Sequence, residues 1–222
     1  MDVSKLAPAE LASHLGNPRG EVGLAVGEFM NRVNMKLSED AYRRLDLQRG
    51  DNVLEIGVGN GLFIDSLLQL APDTRYTGVD ISETMLTSAA QANPALVENG
   101  RVSLKLASVD DMPLDDASID RAVTVNCIYF WPDPAKALQE IRRVLKPAGR
   151  LIVAAVSPET AATSPHFKLE HGFRIYDAEA LEKKHREAGF ASVSVDIYTE
   201  TVKRPDGTPY PRKYSMLKAT SA

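Results

Sequence analysis

Val53-Leu54-Glu55-Ile56-Gly57-Val58-Gly59-Asn60-Gly61 decides how the rest of the chain is read. An apolar run suited to a buried strand carries one acid and then glycines at alternating positions. Leu62, Phe63, Leu67, Leu68 and Leu70 follow at helical spacing. The glycines therefore fall where a strand turns into a helix. There they permit a sharp bend and let a ligand lie against the main chain. A dinucleotide fingerprint reads G-x-G-x-x-G and rests a pyrophosphate on the helix N-terminus. The spacing here is Gly57-x-Gly59-x-Gly61, and the negative charge of Glu55 beside it suits a cationic ligand better than a pyrophosphate. A glycine-rich turn that binds nothing is the plainer alternative.

Outward from this turn, strands and helices alternate. Strands are expected at Asn52–Ile56, Arg75–Asp80, Val102–Leu106, Ile119–Val125 and Gly149–Val156, with helices near Gly61–Leu70, Glu83–Ala92 and Pro134–Leu145. Such alternation predicts a parallel sheet covered on both faces. Asn93-Pro94 ends the second of those helices. A further helix is expected over Asp177–Ala188, closed by Gly189, and then two strands, Ala191–Thr199 and Arg212–Ala219. The short linker Arg204-Pro205-Asp206-Gly207-Thr208-Pro209 makes that last pair antiparallel, because a parallel pair needs a crossover. Before the first strand lie helical segments: a short one around Leu6, Leu11 and Leu15, a break at Asn17-Pro18-Arg19-Gly20, then Gly23–Met35 and Glu39–Leu47, with Ser38 as N-cap of the last.

Length and composition narrow the class. The 222 residues are enough for one compact domain with a substantial core. No apolar run is long enough to span a bilayer, and Met1-Asp2-Val3-Ser4-Lys5 lacks the basic and apolar parts of a signal peptide, so a cytoplasmic location is expected. Cys127 is the only cysteine, which excludes an intrachain disulfide and a cysteine-rich metal site. No other cluster of metal ligands is apparent, and no metal is expected. A net charge of −4 argues against a nucleic-acid partner. Lys203-Arg204 and Arg212-Lys213 read as a solvated hairpin end. Nothing in the chain speaks to oligomeric state.

From Glu55 to Gly61 the sequence resembles the first motif of the class I S-adenosylmethionine (SAM)-dependent methyltransferases, an acid followed by GxGxG. Glu140-Ile141-Arg142-Arg143-Val144-Leu145-Lys146-Pro147-Ala148-Gly149-Arg150-Leu151 is similar to that family's E-x-x-R-V-L-K-P-G-G-R-L segment, with alanine at 148 in place of the first glycine. Ala107 to Asp120 resembles its loop after strand three at Pro113, Leu114 and Ser118-Ile119-Asp120. The resemblance covers roughly Asp51 to Ala219. It implies an α/β, Rossmann-like doubly wound seven-stranded sheet, mostly parallel with a C-terminal antiparallel hairpin, plus N-terminal helices. Residues 1–50 would be a helical cap over the substrate and 51–222 the SAM-binding domain.

The site residues follow. Glu55, Gly57, Gly59 and Gly61 form the turn against the cofactor. Asp80 ends the second strand about 20 residues beyond, placed to accept hydrogen bonds from ribose hydroxyls. That role does not separate SAM from NAD, and helix capping by Asp80 or Ser82 is the structural alternative. Ile81 and Met85 are expected to wall the adenine. Ser108 stands where the family often has an acid for the adenine amino group, so Asp110 or the backbone of Val109 takes over that contact. Asn126 and the aromatics Tyr129, Phe130 and Trp131 are expected beside the sulfonium and acceptor, where ring faces stabilise a cation. Packing of Phe130 and Trp131 on the next helix is the alternative. If the acceptor must lose a proton, the bases to consider are His14, His166 and His171, with Tyr129 as a further acceptor contact; His185, in a lysine-rich helix, is expected to be exposed.

The function implied is methyl transfer from S-adenosylmethionine to a small-molecule acceptor by in-line displacement, driven by proximity and orientation. Two other readings compete: a non-catalytic SAM-binding protein, and an NAD(P)-dependent oxidoreductase, which the glycine spacing and the Arg143-Val144-Leu145-Lys146-Pro147 segment disfavour.

Overall fold

A computed structural model describes residues 1–203 and 207–222. Seven strands form one sheet in the order β3-β2-β1-β4-β5-β7-β6. They are β1 (Asn52–Ile56), β2 (Arg75–Asp80), β3 (Val102–Leu106), β4 (Ile119–Val125), β5 (Leu145–Val156), β6 (Ser192–Lys203) and β7 (Pro209–Thr220). Strands β1 to β5 pair in parallel, and β7 runs antiparallel to both β5 and β6. The chain leaves β1 towards β2 on one side and later returns to β4 on the other. The crevice beyond the carboxyl ends of β1 and β4 is therefore the place where open α/β sheets gather ligands.

The helices are α1 (Pro8–Gly16), α2 (Gly20–Arg44), α3 (Ile64–Leu68), α4 (Glu83–Ala92), α5 (Pro94–Glu98), α6 (Pro134–Val144), α7 (Pro158–Ala161) and α8 (Ala178–Glu187). Covered on both faces, β1 buries Val53, Leu54 and Ile56, which accounts for its unbroken apolar reading. Helix α6 buries Ala137, Leu138, Ile141 and Val144 on one stripe; Pro134 begins it, and Asp133 caps it through the backbone N–H groups of Ala135 and Lys136.

The parallel strands lie where expected, and the terminal hairpin is antiparallel as its short linker requires. Differences lie at the edges. Strand β5 begins at Leu145, and the hairpin strands are longer than expected. Asn93-Pro94 ends α4, but the proline then opens α5, because its ring suits the first turn of a helix. Helix α3 is short, and Leu62 and Leu70 outside it are exposed. Of the basic pairs at the hairpin end, Arg204 lies outside the described residues, as do Pro205 and Asp206 of the linker.

The largest correction concerns the N-terminus. Gly23–Met35 and Glu39–Leu47 are not two helices; α2 runs unbroken through Ser38, which is buried in mid-helix and caps nothing. Leu37, Ala41, Tyr42 and Leu45 recur at helical spacing and are all buried. Burial of that stripe outweighs the preference of one serine for a cap. The second half of α2 thus belongs to the core, and its first half extends over the sheet's ligand crevice.

Candidate active site

The crevice beyond β1 and β4 is a cavity of about 240 Å³. Its floor is the glycine turn. Gly57, Gly59 and Gly61 all have left-handed φ angles of +77°, +59° and +70°. At Gly57 an added Cβ would collide with the Cys127 sulfur; at Gly61 it would lie 2.7 Å from the Ala89 side chain on α4. At Gly59 it would meet nothing within 4 Å, because that position faces the open cavity. The three glycines therefore divide their work. Gly57 and Gly61 allow the segment after β4 and helix α4 to close on the turn, and Gly59 leaves bare backbone facing the cavity. Gly61 itself does not line the cavity.

Asp80 holds this turn. Its Oδ2 accepts the Gly59 N–H at 2.9 Å and its Oδ1 accepts the Ser82 N–H at 2.9 Å. Burial raises its pKa, and these backbone bonds pull in the opposite direction. Each carboxylate oxygen has a further lone pair for a ligand hydroxyl. Ser82 is the cap of α4, through the Met85 N–H at 3.1 Å, and this leaves Asp80 directed at the cavity. Ile81 is about half exposed at the rim, and Met85 is buried in the wall with its sulfur against Gly27 of α2.

Glu55 is buried at the base of the cavity, where Tyr42 Oη donates to Oε1 at 2.8 Å and Tyr76 Oη to Oε2 at 2.6 Å. Burial pushes its pKa up to about 7, although both hydroxyls favour the ionised form. One of its partners, Tyr42, comes from α2, outside the resembled motifs.

Of the residues expected at the adenine, Ser108 and Val109 line the cavity and Asp110 does not. The Ser108 hydroxyl donates to Asp110, whose other oxygen lies 3.5 Å from Lys136 Nζ. The acidic loop beyond is clamped by Arg143. Its guanidinium donates to the Leu114 and Met112 carbonyls and to the Glu140 and Asp116 carboxylates. Lys146 holds both oxygens of Asp120 at 2.8 Å. The basic residues of the Arg143-to-Pro147 segment thus brace the loop that presents Ser108 and Val109.

Beyond β4, Asn126 takes a left-handed φ of +58° and lines the cavity with Cys127, Phe130 and Trp131. Burial pushes the Cys127 thiol up to about 12, so it stays protonated. Tyr129 is buried behind the wall, its hydroxyl donating to Asn126 Oδ1 at 2.6 Å. Phe130 packs on Tyr129 and Phe173 while Gly16 of α1 abuts its ring, so it both packs and lines the cavity.

Among the histidines, only His14 lines the cavity, and its Nδ1 accepts the Arg19 N–H at 3.5 Å. His166 stacks against Phe167, and His171 Nδ1 lies 3.3 Å from the His166 carbonyl; neither ring lines the cavity. His185 is not exposed as expected. It is fully buried against Phe190, bonded to the Leu181 carbonyl at 2.7 Å, and its pKa is lowered to about 4 by burial. It faces inward because Leu181, one turn earlier, anchors the same stripe of α8.

Sequence reasoning missed the α2 contribution: Val26, Gly27, Met30, Asn31, Asn34 and Tyr42 face the cavity from one stripe. Their three- and four-residue spacing was the available signal. The described residues contain no group of metal-ligating side chains, and no helix among them is long and apolar enough to cross a membrane.

Residues 54–153 match the model of a methyltransferase domain family. The chain is 29% identical over 184 residues to the uncharacterized methyltransferase YdaC of Bacillus subtilis, covering 82% of this chain and 99% of that one. It is 29% identical to the O-methyltransferase resE of Aspergillus sclerotiorum, covering 73% of this chain and 63% of that protein, so it spans less than two thirds of that relative's length. Among solved structures, a SAM-dependent methyltransferase from Thermotoga maritima superposes with a TM-score of 0.64 at 25% identity, over 88% of this chain and 97% of the other. Fold, glycine turn and relatives agree in supporting a class I SAM-dependent methyltransferase with S-adenosylmethionine as its cofactor. Gly59 presents bare backbone to the cavity, which Glu55 and Asp80 also line.

Proposed function

We propose that this enzyme transfers a methyl group to a small-molecule acceptor bound in the cavity beneath α1 and the first half of α2. The observation that carries the reading is the partial cover over the site. His14, Leu15 and Pro18 from the α1 region and the α2 stripe close over the glycine turn, leaving about 240 Å³. That is slightly below the roughly 300–1,000 Å³ common for small-molecule sites, a size that suits a small acceptor. A relative named as an O-methyltransferase supports the same reading.

The bound cofactor supplies a methyl group on a positively charged sulfur. The protein's part is to hold, orient and exclude water. Gly59 and Asp80 are assigned to the adenosyl ribose side, Ile81, Met85, Ser108 and Val109 to the adenine, and Glu55, Asn126 and the aromatics to the sulfonium side. In this arrangement α1 and the first half of α2 supply the acceptor-facing cover. Alignment of acceptor and methyl carbon then supplies much of the rate.

Release of S-adenosylhomocysteine from purified enzyme, SAM and a panel of small phenols, enols, amines and thiols tests the proposal. Turnover with a member of the panel is expected. SAM binding without turnover on any of them, together with methylation of a protein or RNA, would overturn it.

A further inference from the structure

The acceptor side of the cavity has an unusual donor inventory. Tyr129 Oη donates to Asn126 Oδ1 at 2.6 Å, and Asn126 Nδ2 donates to Asn34 Oδ1 at 3.0 Å. This relay fixes the orientation of the last amide. The Asn34 oxygen is occupied, and its NH2 group has no protein partner among the described residues, while the side chain lines the cavity. Asn31 lines the same wall one turn earlier. Asn126 takes a left-handed conformation, at φ +58°, which asparagine adopts more readily than most non-glycine residues.

What the wall lacks is equally informative. Among the described residues lining the cavity there is no lysine or arginine. Both carboxylates there are engaged, Glu55 by two tyrosines and Asp80 by two backbone N–H groups. His14 has its Nδ1 occupied by the Arg19 N–H, which leaves the neutral ring its proton on Nε2. Beside its amide groups, the wall thus holds no lysine, no arginine and no carboxylate free of protein hydrogen bonds.

We propose that Asn34 donates a hydrogen bond to the acceptor oxygen, and that the acceptor is a small molecule with an acidic hydroxyl, a phenol or enol, which enters the site already ionised. The inference rests on the small-molecule reading above and adds the acceptor atom. The acceptor's proton leaves to solvent before binding. An oxygen lone pair then forms the O–CH3 bond as the S–CH3 bond breaks, and the sulfur keeps that pair as a neutral thioether. One anion and one sulfonium become two neutral groups, so no base is needed in the step. An amine acceptor is disfavoured, since its N–H groups would face the donors of Asn34. Asn126 and Tyr129 are positioning residues: they act through Asn34.

The test compares an acidic phenol, a β-dicarbonyl enol and a primary amine in the unaltered enzyme and in Asn34→Leu, Asn34→Asp and Tyr129→Phe, with SAM affinity measured by calorimetry throughout. Oxygen acceptors should be turned over and the amine should not. Asn34→Leu should lose roughly ten-fold or more in kcat/KM, as for one hydrogen bond to an ionised oxygen. Asn34→Asp should lose more, through repulsion of the oxyanion. Tyr129→Phe should raise KM for the acceptor more than it lowers kcat. SAM affinity should stay within a few-fold of the unaltered enzyme. Preference for the amine, unchanged phenol turnover in Asn34→Leu, or an equal loss of SAM affinity in the Asn34 variants would overturn the proposal while leaving the small-molecule reading intact. SAM binding with no small acceptor accepted would overturn that reading as well.

Discussion

The Gly59 N–H donates to Asp80 Oδ2 at 2.9 Å, so the carboxylate at the tip of β2 ties down the one motif glycine at which an added Cβ would meet nothing. Two motifs that lie 21 residues apart are thereby one mechanical unit. Asp80→Ala is expected to remove this tether together with the ligand hydroxyl contacts. SAM affinity should fall more than ten-fold, since hydrogen bonds to a charged group contribute roughly 1.5–3 kcal/mol each. Calorimetry measures this, and unchanged affinity would remove Asp80 from the site.

The glycines should separate in mutagenesis. Gly57→Ala meets the Cys127 sulfur as well as a left-handed φ, and Gly59→Ala meets only the φ. Gly57→Ala should lower the melting temperature more than Gly59→Ala does. Gly57→Ala combined with Cys127→Ala should recover part of the loss, by relieving the clash and leaving the roughly 1–2 kcal/mol left-handed cost. Equal melting temperatures for the two single variants would contradict the packing described here.

Two buried groups give stability opposing dependences on pH. Glu55, raised from 4.5 to about 7, is protonated in the folded state where the unfolded chain is ionised, so it lowers stability as pH rises from 4.5 through 7. His185, lowered from 6.5 to about 4, stays neutral in the folded state where the unfolded chain is charged, so it lowers stability as pH falls from 6.5 through 4. Between 4.5 and 6.5 the two effects oppose each other. Glu55→Gln removes the first alone. Its urea midpoint should therefore drop from pH 6.5 to pH 5 more steeply than that of the unaltered protein, and parallel midpoints would contradict the Glu55 assignment.

Ala148 occupies φ +61° at the turn where the family pattern has glycine. Ala148→Gly relieves left-handed strain and gives back some unfolded-chain entropy. The net expectation is stabilisation by about 0.5–1 kcal/mol. Chemical denaturation with an unchanged m-value checks it, and a loss of stability would contradict the strain argument.

Removal of residues 1–19 takes away α1 with His14, Leu15 and Pro18, and leaves the core residues Leu37, Ala41 and Leu45 of α2. SAM affinity should change only a few-fold. Acceptor turnover should drop by on the order of 10²-fold, as misplacement of a bound reactant does. Equal loss of both would make α1 part of the cofactor site rather than the acceptor cover.

The glycine turn, Asp80, the parallel strands and the antiparallel hairpin were legible because each is written in contiguous residues under local constraint. Strand periodicity, a bend that needs left-handed backbone, and a linker too short for a crossover all act within a few positions. The α2 contribution was not legible in this way. Ser38 reads as a helix start, and only the packing of Leu37, Ala41 and Tyr42 against the sheet makes α2 continuous. His185 reads as solvated among lysines, and only the tertiary contact with Phe190 buries it.

Local chemistry in the chain alone thus determined the class of fold and the glycine turn, while the cofactor followed from resemblance to a family. The tertiary structure decided which side chains meet across long separations: Tyr42 on Glu55, Asn126 on Asn34, and Gly16 against Phe130. The physical reason is range. Backbone preferences act over a few residues, whereas the walls of the acceptor compartment come from segments about 90 residues apart, brought together by burial of surfaces that no local pattern specifies.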